Sequence, residues 1–82
     1  MNEPTRQPIR PITHENVDEL MSYHAPKPEQ VAHMEAMKPA VSALAHAIVE
    51  HCPSGPGQTL ALRALADCRM QINSAIIFEG AW

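Results

Sequence analysis

An aromatic ring, an imidazole and an ammonium group fall within one short segment, Tyr23-His24-Ala25-Pro26-Lys27. Pro26 and Pro28 push the residues before them away from helical geometry, so the segment reads as a stiff connector between helices. Lys38 follows in the next helical stretch, immediately before Pro39. These residue types suit an anionic, aromatic ligand. A tyrosine ring stacks on a nucleobase for roughly 1 to 3 kcal/mol, and a lysine ammonium meets a phosphate as a point charge. From the residues alone the plainer arrangement is the commoner one, with Tyr23 packed on its neighbours and Lys38 in water.

Catalytic and metal chemistry find little support. His51 and Cys52 are adjacent, and on a helix adjacent side chains point about 100° apart, which forbids a thiolate–imidazole pair without help from another element. His33, His46 and His51 lack the i, i+4 spacing of a helical zinc pair. The seven glutamates and two aspartates are scattered with no convergent pair. Gly55 and Gly57 lie in a proline-rich connector without the Lys-Ser/Thr of a phosphate loop. The expectation is a protein that is not an enzyme, with no cofactor and no metal.

Composition narrows the partners. Six basic against nine acidic side chains give a net charge of -3, which argues against a general DNA or RNA binder, because backbone affinity needs clustered Lys and Arg. A small anion held by one or two cations remains allowed. Cys52 and Cys68 are too few and unpatterned for a disulfide framework. No leader-like apolar segment and no stretch of eighteen apolar residues is present, so the chain reads as soluble and intracellular, with no membrane partner.

The elements that must position these residues are helical. At 82 residues the chain has room for one small domain. Met1 to Pro11 is polar and broken by three prolines, so residues 1–12 read as a flexible N-terminal tail and 13–82 as a single helical domain. Thr13 fits an N-cap, with Ile12 and Val17 as a hydrophobic staple, opening a short helix to about Ser22 whose Val17, Leu20 and Met21 share a face. From Glu29 to about Cys52, with Pro28 as first residue, Val31, Met34, Met37, Val41, Leu44 and Ile48 recur at helical steps. Pro39 interrupts that stripe and predicts a kink near Lys38. Cys52 to Gly57 reads as a helix stop and tight connection. A third helix follows from about Gln58 to Phe78, with Thr59 or Ser54 as its cap and Leu62, Leu65, Arg69, Ile72 and Ile76 near one face. The fold class is therefore all-α: a short helix plus an antiparallel helical hairpin with a proline-kinked first arm. Val49, Leu60 and Ile77 leave apolar surface that the short helix cannot shield, and a symmetric oligomer is the simplest remedy.

An ordered set of these residues resembles a known family. Tyr23-His24-x-Pro26-Lys27, a basic residue fifteen positions after the tyrosine (Lys38), Ala45-x-x-Ile48, Pro53, Leu60-Ala61-x-x-x-Leu65 and Met70-x-x-Asn73-x-Ala75-Ile76 are similar to the phage anti-CBASS cyclic-oligonucleotide sponges. These form the second anti-CBASS family, related to the first Thoeris anti-defence family. The likeness runs from Tyr23 to about Ile77. It implies a helical protomer in a compact homohexamer that sequesters cyclic dinucleotides, such as cyclic GMP-AMP, in the cytoplasm of the infected bacterial host without cleaving them. By motif position Tyr23 would stack on a base and Lys38 would contact phosphate, with His24 and Lys27 near enough to contribute.

The sequence departs from the family at Gln71, where tryptophan is usual, and at Pro56-Gly57, where Arg-Glu is usual. Some members bind cyclic trinucleotides in a separate site that uses a hydroxyl residue and an arginine; the corresponding positions here read Ala40 and about Phe78, so that site is expected to be weak or missing. Two other readings stand beside the main one: a sponge for cyclic ADP-ribose isomers, as the Thoeris-directed relatives allow, and a helical interaction module with no nucleotide ligand. The role of Trp82, at the chain's last position, is left open.

Overall fold

The computed structural model describes residues 8–81. The expectations for Met1–Gln7 and for Trp82 lie outside them. Three helices follow in order, α1 (Val17–Met21), α2 (Pro28–His51) and α3 (Pro56–Ile77), and no strand occurs among the described residues.

Helix α1 is shorter than its sequence pattern suggests, and Thr13 is not its cap. Residues 14–16 form a turn, closed by Asn16: its Oδ1 accepts from the Thr13 N–H at 2.8 Å and its Nδ2 donates to the Pro11 carbonyl at 2.9 Å. An asparagine amide offers both a donor and an acceptor, which a threonine hydroxyl could not place on two sides of the turn at once. The helix begins only after this turn is complete, leaving Met21 exposed and the hydrophobic face reduced to half-buried Val17 and Leu20.

Helix α2 begins where expected. Pro28 occupies the first position, where its missing N–H would have been unpaired anyway. Gln30, two positions on, accepts the Lys27 N–H on Oε1 at 2.9 Å. This is one half of a capping box; a lysine ammonium has no acceptor with which to complete the other half. The helix continues through Pro39 to His51. At its far end Gln58 Nε2 donates to the carbonyls of Val49 at 3.4 Å and Cys52 at 3.0 Å, supplying partners to the end of α2 from the first turn of α3.

The connector turns at Gly55, with φ 152° and ψ -171°, a region essentially restricted to glycine. Pro56 then opens α3, two residues earlier than the apolar period implies. Neither Thr59 nor Ser54 caps it: the N-cap is Gly55, and no side chain bonds there. Helix α3 ends in a Schellman motif, with Glu79 N–H donating to Ile76 O at 3.3 Å and Gly80 N–H to Ala75 O at 3.2 Å. The left-handed residue at this motif is Glu79, φ 53°, rather than the glycine beside it.

Helices α2 and α3 pack as the antiparallel hairpin and make the main tertiary contact between elements. Only half of the α2 apolar stripe faces α3. Met34, Val41, Ala45 and Ile48 are half-buried, whereas Val31, Met37 and Leu44 are exposed, as are Val49, Leu60 and Met70. Among the described residues Ala81 is the only buried hydrophobic one. The chain has 6467 Å² of accessible surface, against about 4,850 Å² for a compact protein of its mass. Its radius of gyration is 15.7 Å, against about 12 Å for a compact domain of this length.

Candidate functional site

Where the N-terminal segment, the Tyr23–Lys27 connector and the C-terminal turn meet, they line an open polar cavity of about 470 Å³. Tyr23, His24 and Lys27 all line it, joined by Arg10, Gln30 and Glu79. Tyr23 is 89% exposed, so its ring is available rather than consumed by packing. His24 is fixed from two sides. Its Nε2 lies 2.6 Å from the Glu19 carbonyl oxygen, which can only accept, so Nε2 carries a hydrogen and donates. Its ring meets Phe78 edge to face at 4.7 Å between centroids, a geometry favoured by the ring quadrupoles.

Gln30 organises the inner wall. It is 5% exposed and, besides accepting from Lys27, donates through Nε2 to Ile77 O at 3.2 Å and to Glu79 Oε1 at 3.0 Å. One side chain thus links the start of α2, the end of α3 and the C-terminal turn. Lys27 Nζ stands 3.6 Å from the same Glu79 oxygen. On the outer wall Arg10 donates to both carboxylate oxygens of Glu19, Nη1 to Oε1 at 3.2 Å and Nη2 to Oε2 at 2.9 Å. The hydrogen bond from Arg10 holds the Glu19 carboxyl below its ordinary pKa, and the same contact raises that of Arg10. Both groups are well exposed, so the pair adds orientation more than stability. The Arg10 backbone N–H also donates to Ala81 O at 2.8 Å, tying the N-terminal segment to the C-terminal turn.

Lys38 is elsewhere. It lines a second cavity of about 520 Å³, an apolar groove between α2 and α3 walled by Met34, Met37, Val41 and Ile72, and its Nζ bonds Glu35 Oε1 at 3.0 Å. Pro26 belongs to this groove too, so the connector separates the two cavities. Within one chain the structure brings Tyr23, His24 and Lys27 together and leaves Lys38 outside their cavity.

Arg10, Gln30 and Glu79 were not singled out from the sequence. Gln30 carried a usable signal, since a Gln at the third position after a capping residue, following Pro at the first, is half of a capping-box pattern. Arg10 lies in a proline-broken segment, and a glutamate after the last helical residue has no pattern of its own.

Cys52 and Cys68 are exposed thiols, and His51 Nε2 lies 3.9 Å from Glu50 Oε2. Among the described residues no three His, Cys, Asp or Glu side chains group as a metal site, and no helix is long and apolar enough to cross a membrane. The arrangement can stack, ion-pair and hydrogen-bond.

No family model, curated protein or solved structure matches this chain.

Proposed function

We propose that the protein is a non-catalytic binder of cyclic dinucleotides that acts as a homo-oligomeric sponge, lowering the free messenger of a bacterial CBASS defence on behalf of a phage. The observation that carries the binding part is the exposed Tyr23 ring at the mouth of a polar cavity whose walls hold the His24 and Lys27 side chains. A base would stack on Tyr23, and a phosphate would lie toward Lys27, with the His24 ring beside it. The messenger class and the phage setting rest on the family resemblance of Tyr23 to Ile77.

Exposed apolar faces on the hairpin favour self-association, which is part of this reading. Val31, Met37, Leu44, Val49, Leu60 and Met70 are exposed, on faces the hairpin does not itself cover. A closed ring of copies would cover those faces, and a hexamer is the number the resemblance implies. In such an assembly Lys38 of one protomer would meet the Tyr23 connector of another, which reconciles their separation within a chain. A bend at Pro39 would let α2 follow the curvature of the ring.

The same exposed faces favour a second reading, a helical interaction module that docks a protein and binds no nucleotide. Titration calorimetry with cyclic GMP-AMP separates the two. Tyr23→Ala and Lys38→Ala are each expected to weaken binding at least about tenfold, within the range for loss of one stacked base or one charge-assisted contact, without altering the mass of the oligomer. Normal binding by both variants would show the assigned pocket to be wrong.

A further inference from the structure

We infer that Glu79 is an affinity-determining residue of the polar cavity: its carboxylate stands in the cation site that a ligand phosphate takes, so that ligand and carboxylate compete for Lys27. The inference rests on the nucleotide reading above.

The carboxylate is placed there at a cost. Glu79 is 7% exposed, the most buried titratable side chain among the described residues, and a carboxylate withdrawn from water is unfavourable unless paired. Its backbone adopts φ 53°, at the helix-terminating position where glycine is the usual choice because a Cβ is strained there. A glycine follows directly, yet the register puts Glu79 in the strained place. What the side chain gains is the inner wall of the cavity, with Gln30 Nε2 at 3.0 Å and Lys27 Nζ at 3.6 Å from Oε1.

The cavity's fixed cations are thus already matched by carboxylates, Arg10 by Glu19 and Lys27 by Glu79. These two pairs are not equivalent. Arg10 and Glu19 are bound through two short contacts, whereas Lys27 is 62% exposed and its contact is long, an ion pair of the kind that contributes little. A phosphate oxygen approaching Lys27 makes a shorter, stronger charge-assisted bond. The Lys27 pair is therefore the one that yields. An incoming phosphate must also overcome repulsion from the carboxylate until that group gives way, so the wild-type cavity binds more weakly than its cations permit. Two other contacts of the turn fall on the same wall: Phe78 on His24 and Ala81 O on the Arg10 N–H. Displacing the carboxylate loosens these contacts together.

The test compares the full-length wild type with Glu79→Gln and Glu79→Gly by titration with cyclic GMP-AMP. Glutamine keeps the shape without the charge. Glycine removes the side chain and suits the backbone, so it retains the fold even where glutamine does not. Both variants are expected to bind about five- to tenfold more tightly, the order expected for removing one like charge near a phosphate in a partly wet site. A residue that merely supported the wall would give weaker binding. Wild-type binding with equal or weaker binding by both variants would overturn the inference and leave the nucleotide reading intact. Absence of binding by all three would overturn that reading and this inference with it, while binding by the variants alone would support both. Hydrogen exchange gives a second readout: ligand should accelerate exchange of the Arg10 and Gly80 amides in the wild type, and added protection there would contradict displacement.

Discussion

Replacing Gln30 by alanine tests whether the cavity wall is held together as described. The substitution removes an acceptor from the Lys27 N–H at 2.9 Å and donors from Ile77 O at 3.2 Å and Glu79 Oε1 at 3.0 Å. The first two groups are only partly buried, so water replaces their partners and each loss amounts to about 0.5 kcal/mol, the low end for a neutral hydrogen bond. The third is the larger effect. Glu79 is nearly buried, and loss of a hydrogen bond to a charged group costs about 1.5 to 3 kcal/mol. Their sum is about 2.5 to 4 kcal/mol, a large fraction of a small domain's stability, and lowers the melting temperature by more than about 10 °C at 4 to 8 °C per kcal/mol. Thermal unfolding followed by helical circular dichroism at fixed protein concentration measures it. A shift of less than about 2 °C would mean that water satisfies all three groups and that Gln30 is not what joins the two ends of the hairpin.

Two glycines in one connector should respond with opposite signs. Gly55→Ala is expected to destabilise by about 1 to 3 kcal/mol, through backbone strain at φ 152° alone, since nothing lies within 4 Å of an added Cβ. Gly57→Ala, inside α3 with the same open space, should stabilise by about 0.5 to 1 kcal/mol; paired denaturant titrations giving the same sign would refute the backbone assignment. The Glu19 carboxyl, lowered by its hydrogen bond from Arg10, contributes stability that is present above its unfolded pKa and lost as pH falls through its lowered folded pKa. Carboxyl-carbon NMR should find its midpoint below that of an ordinary glutamate, and Arg10→Ala should return it; an unchanged midpoint in the variant would show that the pair does not persist in solution.

Period and punctuation made the hairpin legible. Pro28, the stripe from Val31 to Ile48 and the Cys52–Gly57 cluster locate α2 and its end within a residue or two of the observed bounds. Helix boundaries set by side-chain bonding were not legible in the same way. The turn at Thr13–Asn16 depends on Asn16 bonding in two directions, and a hydroxyl cap at Thr13 looks equally good in the sequence. Helix α3 begins at Pro56 because Gly55 supplies an unusual backbone conformation, whereas apolar periodicity cannot register a first turn made of Pro, Gly and Gln. For the candidate site, the Tyr23–Lys27 segment was legible because types and proline stiffness are local properties. Arg10, Gln30 and Glu79 join it through contacts between the two ends of the chain, and no local pattern encodes a partner nearly fifty residues away. The placement of Lys38 in a different cavity follows from α2 carrying it onward to the groove that faces α3.

The central claim, that copies of this chain assemble and hold cyclic dinucleotides unaltered, is tested most directly by native mass spectrometry. The purified protein is measured alone and with cyclic dinucleotides, cyclic trinucleotides and cyclic ADP-ribose isomers. A hexamer that takes up about three cyclic dinucleotides and releases them with unchanged mass on denaturation is the expected result. A protein that forms no adduct with any of them, in whatever oligomeric state, would contradict it and leave the helical hairpin as a protein-docking module.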